Sequence, residues 1–273
     1  MQISKQYAAQ YAAQYYTHIQ QIVADEERSK LLQHAIVRSK TRTMSFDSRV
    51  PGTPAAYADP RMESLLEELL PAIEQVASQS LFPTYSYFRV YKTGDVLEKH
   101  TDRFACEISV SVSLGRKPET PWPIWVEGPQ GARSIELQPG DGVAYRGRDC
   151  PHWREPFKGE FAAQVFLHYV DQNGPLASWK FDKRKRLGSL PKGPICISKN
   201  VLASTHGVLT LGSGKKLKLD ALGTLVWADL EAQCSIFAIA GHIQQELDMT
   251  EPEAELAMMR FISQCEDKGL LVF

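Results

Sequence analysis

Apolar and polar positions along this sequence change period several times, and each change marks an element. Tyr85-Ser-Tyr-Phe-Arg-Val-Tyr91 is aromatic and β-branched, which predicts a strand, and Lys92-Thr-Gly-Asp95 closes it with turn residues. Residues 107–115 alternate small polar with apolar side chains at period two, as a half-buried strand does. Shorter strands are predicted at 122–126, 134–137 and 143–146, with a tight reversal at Gln138-Pro-Gly-Asp-Gly142, and a closing strand at 161–170. Helical spacing comes earlier. Tyr7, Tyr11 and Tyr15 recur every four residues as one stripe expected to pack on the sheets. Asp59 is a good N-cap with Pro60 in the first turn, and Met62, Leu65, Leu66, Leu69 and Leu70 form one apolar face. Pro71 is expected to kink or divide that helix. Residues 44–57 read as a long loop of the kind that covers active sites, a candidate substrate lid.

Beyond residue 180 the pattern changes. The charged, turn-rich run 181–194 reads as a linker. Three short strands follow at 200–204, 207–211 and 215–219, then helices opened by Asp220, Ser235 and Thr250. The fold class expected is therefore α+β. Residues 1–180 would form a double-stranded β-helix, or jelly-roll, barrel with amino-terminal supporting helices, and residues 195–273 a small winged-helix domain.

Composition narrows the class. At 273 residues and 43% hydrophobic content the protein can bury a sizeable core and carry an additional module. A net charge of −1 gives no global electrostatic case for nucleic acid. Five widely spaced cysteines without a Cys-x-x-Cys read as reduced thiols of a cytoplasmic protein. No apolar run is long enough to cross a bilayer, and the amino-terminal run does not read as a targeting signal.

The candidate chemistry lies between the strands. His100-Thr101-Asp102 places an imidazole and a carboxylate two residues apart, on one face of an extended strand, and Pro151-His152-Trp153 supplies a second imidazole. Two His and one carboxylate on one face of a metal leave the opposite positions open, as non-haem Fe(II) oxygenases require. A bare His-x-Asp is a weak signal, and the flanking strands raise it. His168 falls on the closing strand, where a core or hydrogen-bonding role suits it better than metal ligation. His18 and His34 fall in helical sequence, and Arg103 could equally brace Asp102, meet a substrate or face solvent.

With these pieces in view, residues 85–170 resemble the catalytic core of the Fe(II)/2-oxoglutarate-dependent dioxygenases, nearest the prolyl and lysyl hydroxylase branch. The resemblance rests on the Tyr91 strand, His100-Thr-Asp102, the Pro-Gly-Asp-Gly turn, His152, the Lys158-Gly-Glu160 turn and the closing aromatic strand. It implies that His100, Asp102 and His152 hold iron and act catalytically, that Tyr91 lines the 2-oxoglutarate pocket, and that O2 is the oxidant. One family element is missing. A basic residue usually anchors the far carboxylate of 2-oxoglutarate about ten residues beyond the distal His, where this sequence has Glu160-Phe-Ala-Ala163. Arg154 is the first substitute, because a guanidinium fork matches a carboxylate in two bonds. Lys158, Arg146, Arg148 and Arg89 are weaker ones, and a solvated surface charge is the bland alternative for each.

Residues 195–273 resemble the PqqD-like peptide-recognition domains, through Leu219-Asp-Ala-Leu-Gly-Thr-Leu-Val-Trp227, the helix at 239–247, Glu251-Pro-Glu-Ala-Glu255 and Lys268-Gly-Leu-Leu-Val272. The resemblance implies that this domain binds the leader of a ribosomally made precursor peptide. An extended leader would pair with the edge Lys215, Lys216, Leu217, Lys218, Leu219, whose lysines would favour acidic residues or, alternatively, only guard the edge. The expected activity is hydroxylation of an amino-acid side group in a precursor peptide. The alternatives are a small-molecule or protein-residue hydroxylase whose terminal module serves stability or a homodimer, and a non-catalytic peptide-binding chaperone.

Overall fold

The computed structural model describes residues 5–41 and 44–272. The first four residues of the amino-terminal run and Phe273, the end of the expected terminal domain, lie outside the described residues, as do residues 42 and 43. The protein divides into two compact units, Met1–Ser189 and Leu190–Phe273.

The first unit opens with α1 (Lys5–Gln14), β1 (Tyr16–Ile19), α2 (Asp25–Arg38), β2 (Ala55–Tyr57) and α3 (Pro60–Ala77). Eight strands follow: β3 (Leu81–Lys92), β4 (Leu97–His100), β5 (Ile108–Lys117), β6 (Ile124–Gly128), β7 (Gly131–Ile135), β8 (Gly142–Arg146), β9 (His152–Arg154) and β10 (Phe161–Asp171). They pair antiparallel in two sheets, ordered β1-β8-β5-β10-β3-β2 and β4-β9-β6-β7.

Strand alternation decides what each face of the larger sheet meets. On β5, Val110, Val112 and Leu114 join Leu31, Leu66 and Ile73 of α2 and α3 in the main apolar core. Ser109, Ser111 and Ser113 must then face the other way. Phe88 of β3 and Val165 and Leu167 of β10 enter the same core. The opposite face carries Tyr85, Tyr87, Arg89 and Tyr91 from β3, and Phe166 and His168 from β10. The smaller sheet covers this second face: Ile124, Val126 and Ile135 pack with Val143 and Tyr145, and Leu97 and Trp122 with Tyr91 and Ala162. Buried hydroxyl and guanidinium groups gather on this inner face, in contrast to the apolar face opposite.

Several expectations need correcting. α3 is not divided at Pro71, which sits on the exposed side while Leu69, Ala72, Ile73 and Val76 carry the buried face across it. Tyr7 and Tyr11 pack on the core, but α1 ends before Tyr15, whose φ is +67°. His18 lies in β1, an edge strand that local pattern does not announce, with its Nε2 2.9 Å from Asp141 Oδ2. The expected linker from residue 181 is anchored as far as Ser189. Asp182 accepts both Arg103 Nη groups (2.8 and 2.6 Å) and Tyr57 Oη (2.6 Å), Arg184 reaches buried Glu63 (2.5 Å), and Leu187 is buried in the main core. Asp182 and Arg184, two of the charges that make this run read as a linker, are satisfied by partners remote in sequence.

The second unit contains β11 (Cys196–Ile197), β12 (Val201–Thr205), β13 (Val208–Leu211), β14 (Lys216–Lys218), α4 (Ala221–Glu231), α5 (Ile236–Leu247), α6 (Glu251–Asp267) and β15 (Leu271–Val272). β12, β13 and β14 form one antiparallel sheet, and β11 pairs with β15. The three helices are capped as their sequences predict: Asp220 accepts from Gly223 N, Ser235 from Ala238 N, and Thr250 forms a capping box with Glu253. Leu209, Trp227, Ile239, Ile243, Met258 and Ile262 form its own core. Among the described residues no helix is long and apolar enough to cross a membrane.

Candidate metal centre

β4 and β9 pair so that His100 stands opposite His152, with ring centroids 4.3 Å apart. His100 Nδ1 is 2.7 Å from Glu98 O and His152 Nδ1 is 3.0 Å from Cys150 O. A carbonyl can only accept, so each Nδ1 carries the proton and each Nε2 keeps a free lone pair. Both lone pairs meet one atom, Asp102 Oδ1, at 3.9 Å from His100 Nε2 and 3.6 Å from His152 Nε2. Metal–ligand bonds of about 2 Å each span such gaps. Burial pulls both imidazoles down from 6.5 to about 4, so they are neutral at pH 7 and competent as ligands.

Asp102 does not continue the strand. β4 ends at His100, and the Asp102 amide donates to Gly147 O at 2.8 Å, which turns the carboxylate towards the two imidazoles. Gly147 is required there, since a Cβ would lie 2.6 Å from Asp102 Oδ2 and 2.5 Å from Ser109 Oγ. Nothing in the local run Arg146-Gly147-Arg148 signals this role.

The three groups open onto a cavity of 190 Å³ whose wall includes Tyr85, Tyr87, Arg89, Tyr91, Phe166 and His168. Asp47 and Arg49, from the loop expected to act as a lid, also line it. Asp47 accepts from Tyr87 Oη and from Arg89, which ties that loop to the cavity wall. Burial opposes ionisation of Asp47, yet the Tyr87 bond and the Arg89 charge hold its carboxyl below the usual range.

The basic residues fall in different places. Arg154 lies beside the cavity wall and is 1% exposed, with its guanidinium 4.7 Å from the Trp122 ring, the same ring that Tyr91 meets edge-on at 4.9 Å. It donates to Trp122 O (2.6 Å) and Gln164 Oε1 (3.2 Å), both neutral, and its Nε has no partner. Burial without a counter-charge pulls Arg154 from 12.5 down to about 10. Around it the sheet register sets Gln164 opposite both Ser113 and Arg89, and Ser111 Oγ, Ser113 Oγ and Arg89 Nε are likewise unpartnered. This is a buried cluster of donors short of an acceptor. Lys158, by contrast, is exposed in the turn between β9 and β10 and does not reach the cavity, because Phe157 and Gly159 occupy the inner side of that turn. Arg146 lies over Tyr15 (3.8 Å) and Arg148 over Phe104 (4.3 Å). Arg89 lines the cavity but is paired with Asp47, and Arg103 with Asp182.

In the second unit, β14 is an edge strand with Lys215, Lys216 and Lys218 exposed, while Leu217 and Leu219 pack partly on the core.

Residues 206–271 match the family model for coenzyme PQQ synthesis protein D (PqqD). Among solved structures, the protein is similar to a Pseudomonas putida prolyl-4-hydroxylase at 14% identity, over 61% of this chain and 97% of that one, with a TM-score of 0.52. It is similar to SnoN, a non-haem α-ketoglutarate-dependent epimerase of nogalamycin biosynthesis, at 16% identity over 69% and 95% of the two chains, TM-score 0.52. A prolyl hydroxylase from Trichoplax adhaerens, in complex with a hypoxia inducible factor peptide fragment, matches at 14% identity over 62% and 89%, TM-score 0.51. Identities this low establish a common fold. No curated protein sequence matches this one.

Proposed function

We propose that this protein is an Fe(II)- and 2-oxoglutarate-dependent oxygenase that hydroxylates an aliphatic C–H bond of a residue in a ribosomally made precursor peptide, with the peptide's leader held by the carboxy-terminal unit. The observation that carries the reading is the convergence of His100 Nε2, His152 Nε2 and Asp102 Oδ1 beside a buried cation that lacks an anion. His100, Asp102 and His152 would hold the iron. Arg154 would receive the distal carboxylate of 2-oxoglutarate, with Ser111 and Ser113 as further donors and Tyr91 forming the wall. Their orphaned donors fit a carboxylate and would be costly to leave unmade without one. When bound, the iron and co-substrate supply the oxidising chemistry, in which 2-oxoglutarate is decarboxylated to succinate and dioxygen oxidises the substrate C–H.

The protein's own residues hold, orient and exclude. The Glu98 and Cys150 carbonyls fix both imidazole tautomers. Tyr145, buried and 4.6 Å from the His152 ring, and Leu97 give the cavity apolar surface beside the proposed ligands, which would limit water there. Asp47 and Arg49 line the same cavity and would be in reach of a substrate held there.

The PqqD match supports a peptide partner, and the exposed β14 edge supports strand addition as the mode. A leader held on the same polypeptide raises the effective concentration of the peptide to be modified, so the oxygenase unit need recognise little of its sequence. Five free cysteines support a cytoplasmic setting. A second reading, a small-molecule substrate with a merely structural terminal unit, is favoured by the likeness to SnoN, solved with nogalamycin RO.

Anaerobic titration with Fe(II) and 2-oxoglutarate, followed through the weak visible charge-transfer band, tests the cofactor pair. The band is expected in the wild type and absent in His100→Ala. Deleting residues beyond Pro194 separates the two substrate readings: turnover of a precursor peptide should be lost, and survival of that turnover counts against leader capture.

A further inference from the structure

Ser109 is the one inward hydroxyl of β5 with hydrogen-bond partners; Ser111 Oγ and Ser113 Oγ have none. Its Oγ is 2.7 Å from Asp102 Oδ2 and 3.0 Å from His168 Nδ1. One hydroxyl has one proton. An ionised carboxylate can only accept, so that proton points at Asp102, and the bond to His168 must run from Nδ1–H to Ser109 Oγ. An imidazole can carry a proton on Nδ1, so His168 is able to donate it. It is 5% exposed, and Tyr85 lies against its ring at 4.5 Å. The hydrogen-bond relay therefore has a direction, from His168 through Ser109 to Asp102 Oδ2, and each bond polarises the next.

Its consequence is local. Oδ2 is engaged by Ser109 and packs against Gly147, where a Cβ would come within 2.6 Å of it. Oδ1 is the oxygen that faces both imidazole Nε2 atoms. We infer that Ser109 and His168 are positioning residues that hold Asp102 as a one-oxygen metal ligand, leaving a coordination position free for co-substrate. The inference rests on the proposed metal centre and deepens it. Cys106 Sγ, 3.1 Å from Tyr85 Oη, stands close enough to Asp102 and His168 to compose a rival ligand set. In the positioning assignment His168 supports the carboxylate through Ser109, and neither His168 nor Cys106 ligates an ion.

Co(II) titration of the full-length protein, read through its d–d absorption, gives affinity, stoichiometry and ligand field without turnover. One ion per protein molecule is expected in the wild type. Ser109→Ala should weaken binding by about 10–100-fold and alter the d–d band, as loss of a ligand's supporting bond does. Ser109→Thr, which restores the hydroxyl, should return both to near wild type, which a merely structural effect of the alanine would not allow. His168→Asn, with an amide N–H near the Nδ1 position, should weaken binding less than His168→Leu. Wild-type affinity and band in Ser109→Ala overturn the inference alone, and a wild type that binds no Co(II) overturns the metal centre with it. A second Co(II) per molecule that disappears in Cys106→Ala also overturns it, since His168 would then be a ligand.

Discussion

Arg154→Met separates a cation that awaits an anion from one that merely props up a wall. The guanidinium is fully buried, donates to two neutral acceptors and has no carboxylate beside it. Its descent from 12.5 to about 10 puts the cost of holding the charge in the free protein at about 3 kcal/mol, from ~1.4 kcal/mol per pH unit. The sign follows from the direction. A base whose folded-state value is depressed destabilises the fold at every pH below about 10, and the penalty fades only above it. Methionine has a similar reach and removes that cost, but it also strips Trp122 O and Gln164 Oε1 of their donor, losing about 2 kcal/mol. The free variant should therefore lie within about 1 kcal/mol of wild type, a melting shift of about 2–4 °C at most for a unit of this size, and unchanged across the neutral range. The response to ligand should differ. A carboxylate at a hundred times its Kd stabilises by about 2.7 kcal/mol, whereas truncating one partner of a buried charged pair costs about 2–5 kcal/mol of affinity. Calorimetry of the anaerobic Fe(II)-loaded protein with and without 2-oxoglutarate should then show a rise of about 5–10 °C in the wild type and almost none in Arg154→Met. Two results refute the reasoning. One is wild-type affinity for 2-oxoglutarate in the variant. The other is a free variant melting about 10 °C lower, which would mean that the charge is already compensated.

Gly147→Ala forces a Cβ to within 2.6 Å of Asp102 Oδ2, so Co(II) affinity should fall about 100-fold or more while the circular dichroism spectrum is kept; unchanged affinity would show that the loop can yield. Asp59 is fully buried, and although burial opposes its charge, His34, Arg38 and the Met62 amide hold its carboxyl below the usual range. It should therefore stabilise the first unit above about pH 4 and cease to do so as the pH falls further. Asp59→Asn should lose about 3 kcal/mol at pH 7 and show a flatter acid limb in a melting series, and a parallel acid limb would argue against that pairing. Lys216→Glu with Lys218→Glu should weaken an acidic leader in fluorescence anisotropy and reduce the salt dependence of its binding. If only main-chain pairing matters, affinity will not move.

Much of this was legible locally. The strand signals at 85–91, 107–115 and 161–170 correspond to β3, β5 and β10, and the caps at Asp59, Asp220, Ser235 and Thr250 start the helices they foretell. Those signals are short-range: side-chain alternation and orphaned amides are satisfied within a few residues. The candidate ligands, His100, Asp102 and His152, could be read as well, but not their arrangement. That depends on β4 pairing with β9, on a bend after His100, and on Gly147 from a remote loop. Arg154 could be named as an anchor, yet its standing as a buried cation without a counter-charge exists only once Trp122 and Gln164 close around it. Arg146, Arg148 and Lys158 look alike in sequence and end over aromatic rings or in solvent. Likewise Asp182 and Arg184, within the run that reads as a linker, pair with Arg103 and Glu63 some eighty and a hundred and twenty residues away. The sequence alone determined most of the elements and the kind of chemistry it could carry; tertiary structure decided which polar groups meet, because partners fifty or more residues apart are chosen by strand register and by desolvation, neither of which is encoded in any local run.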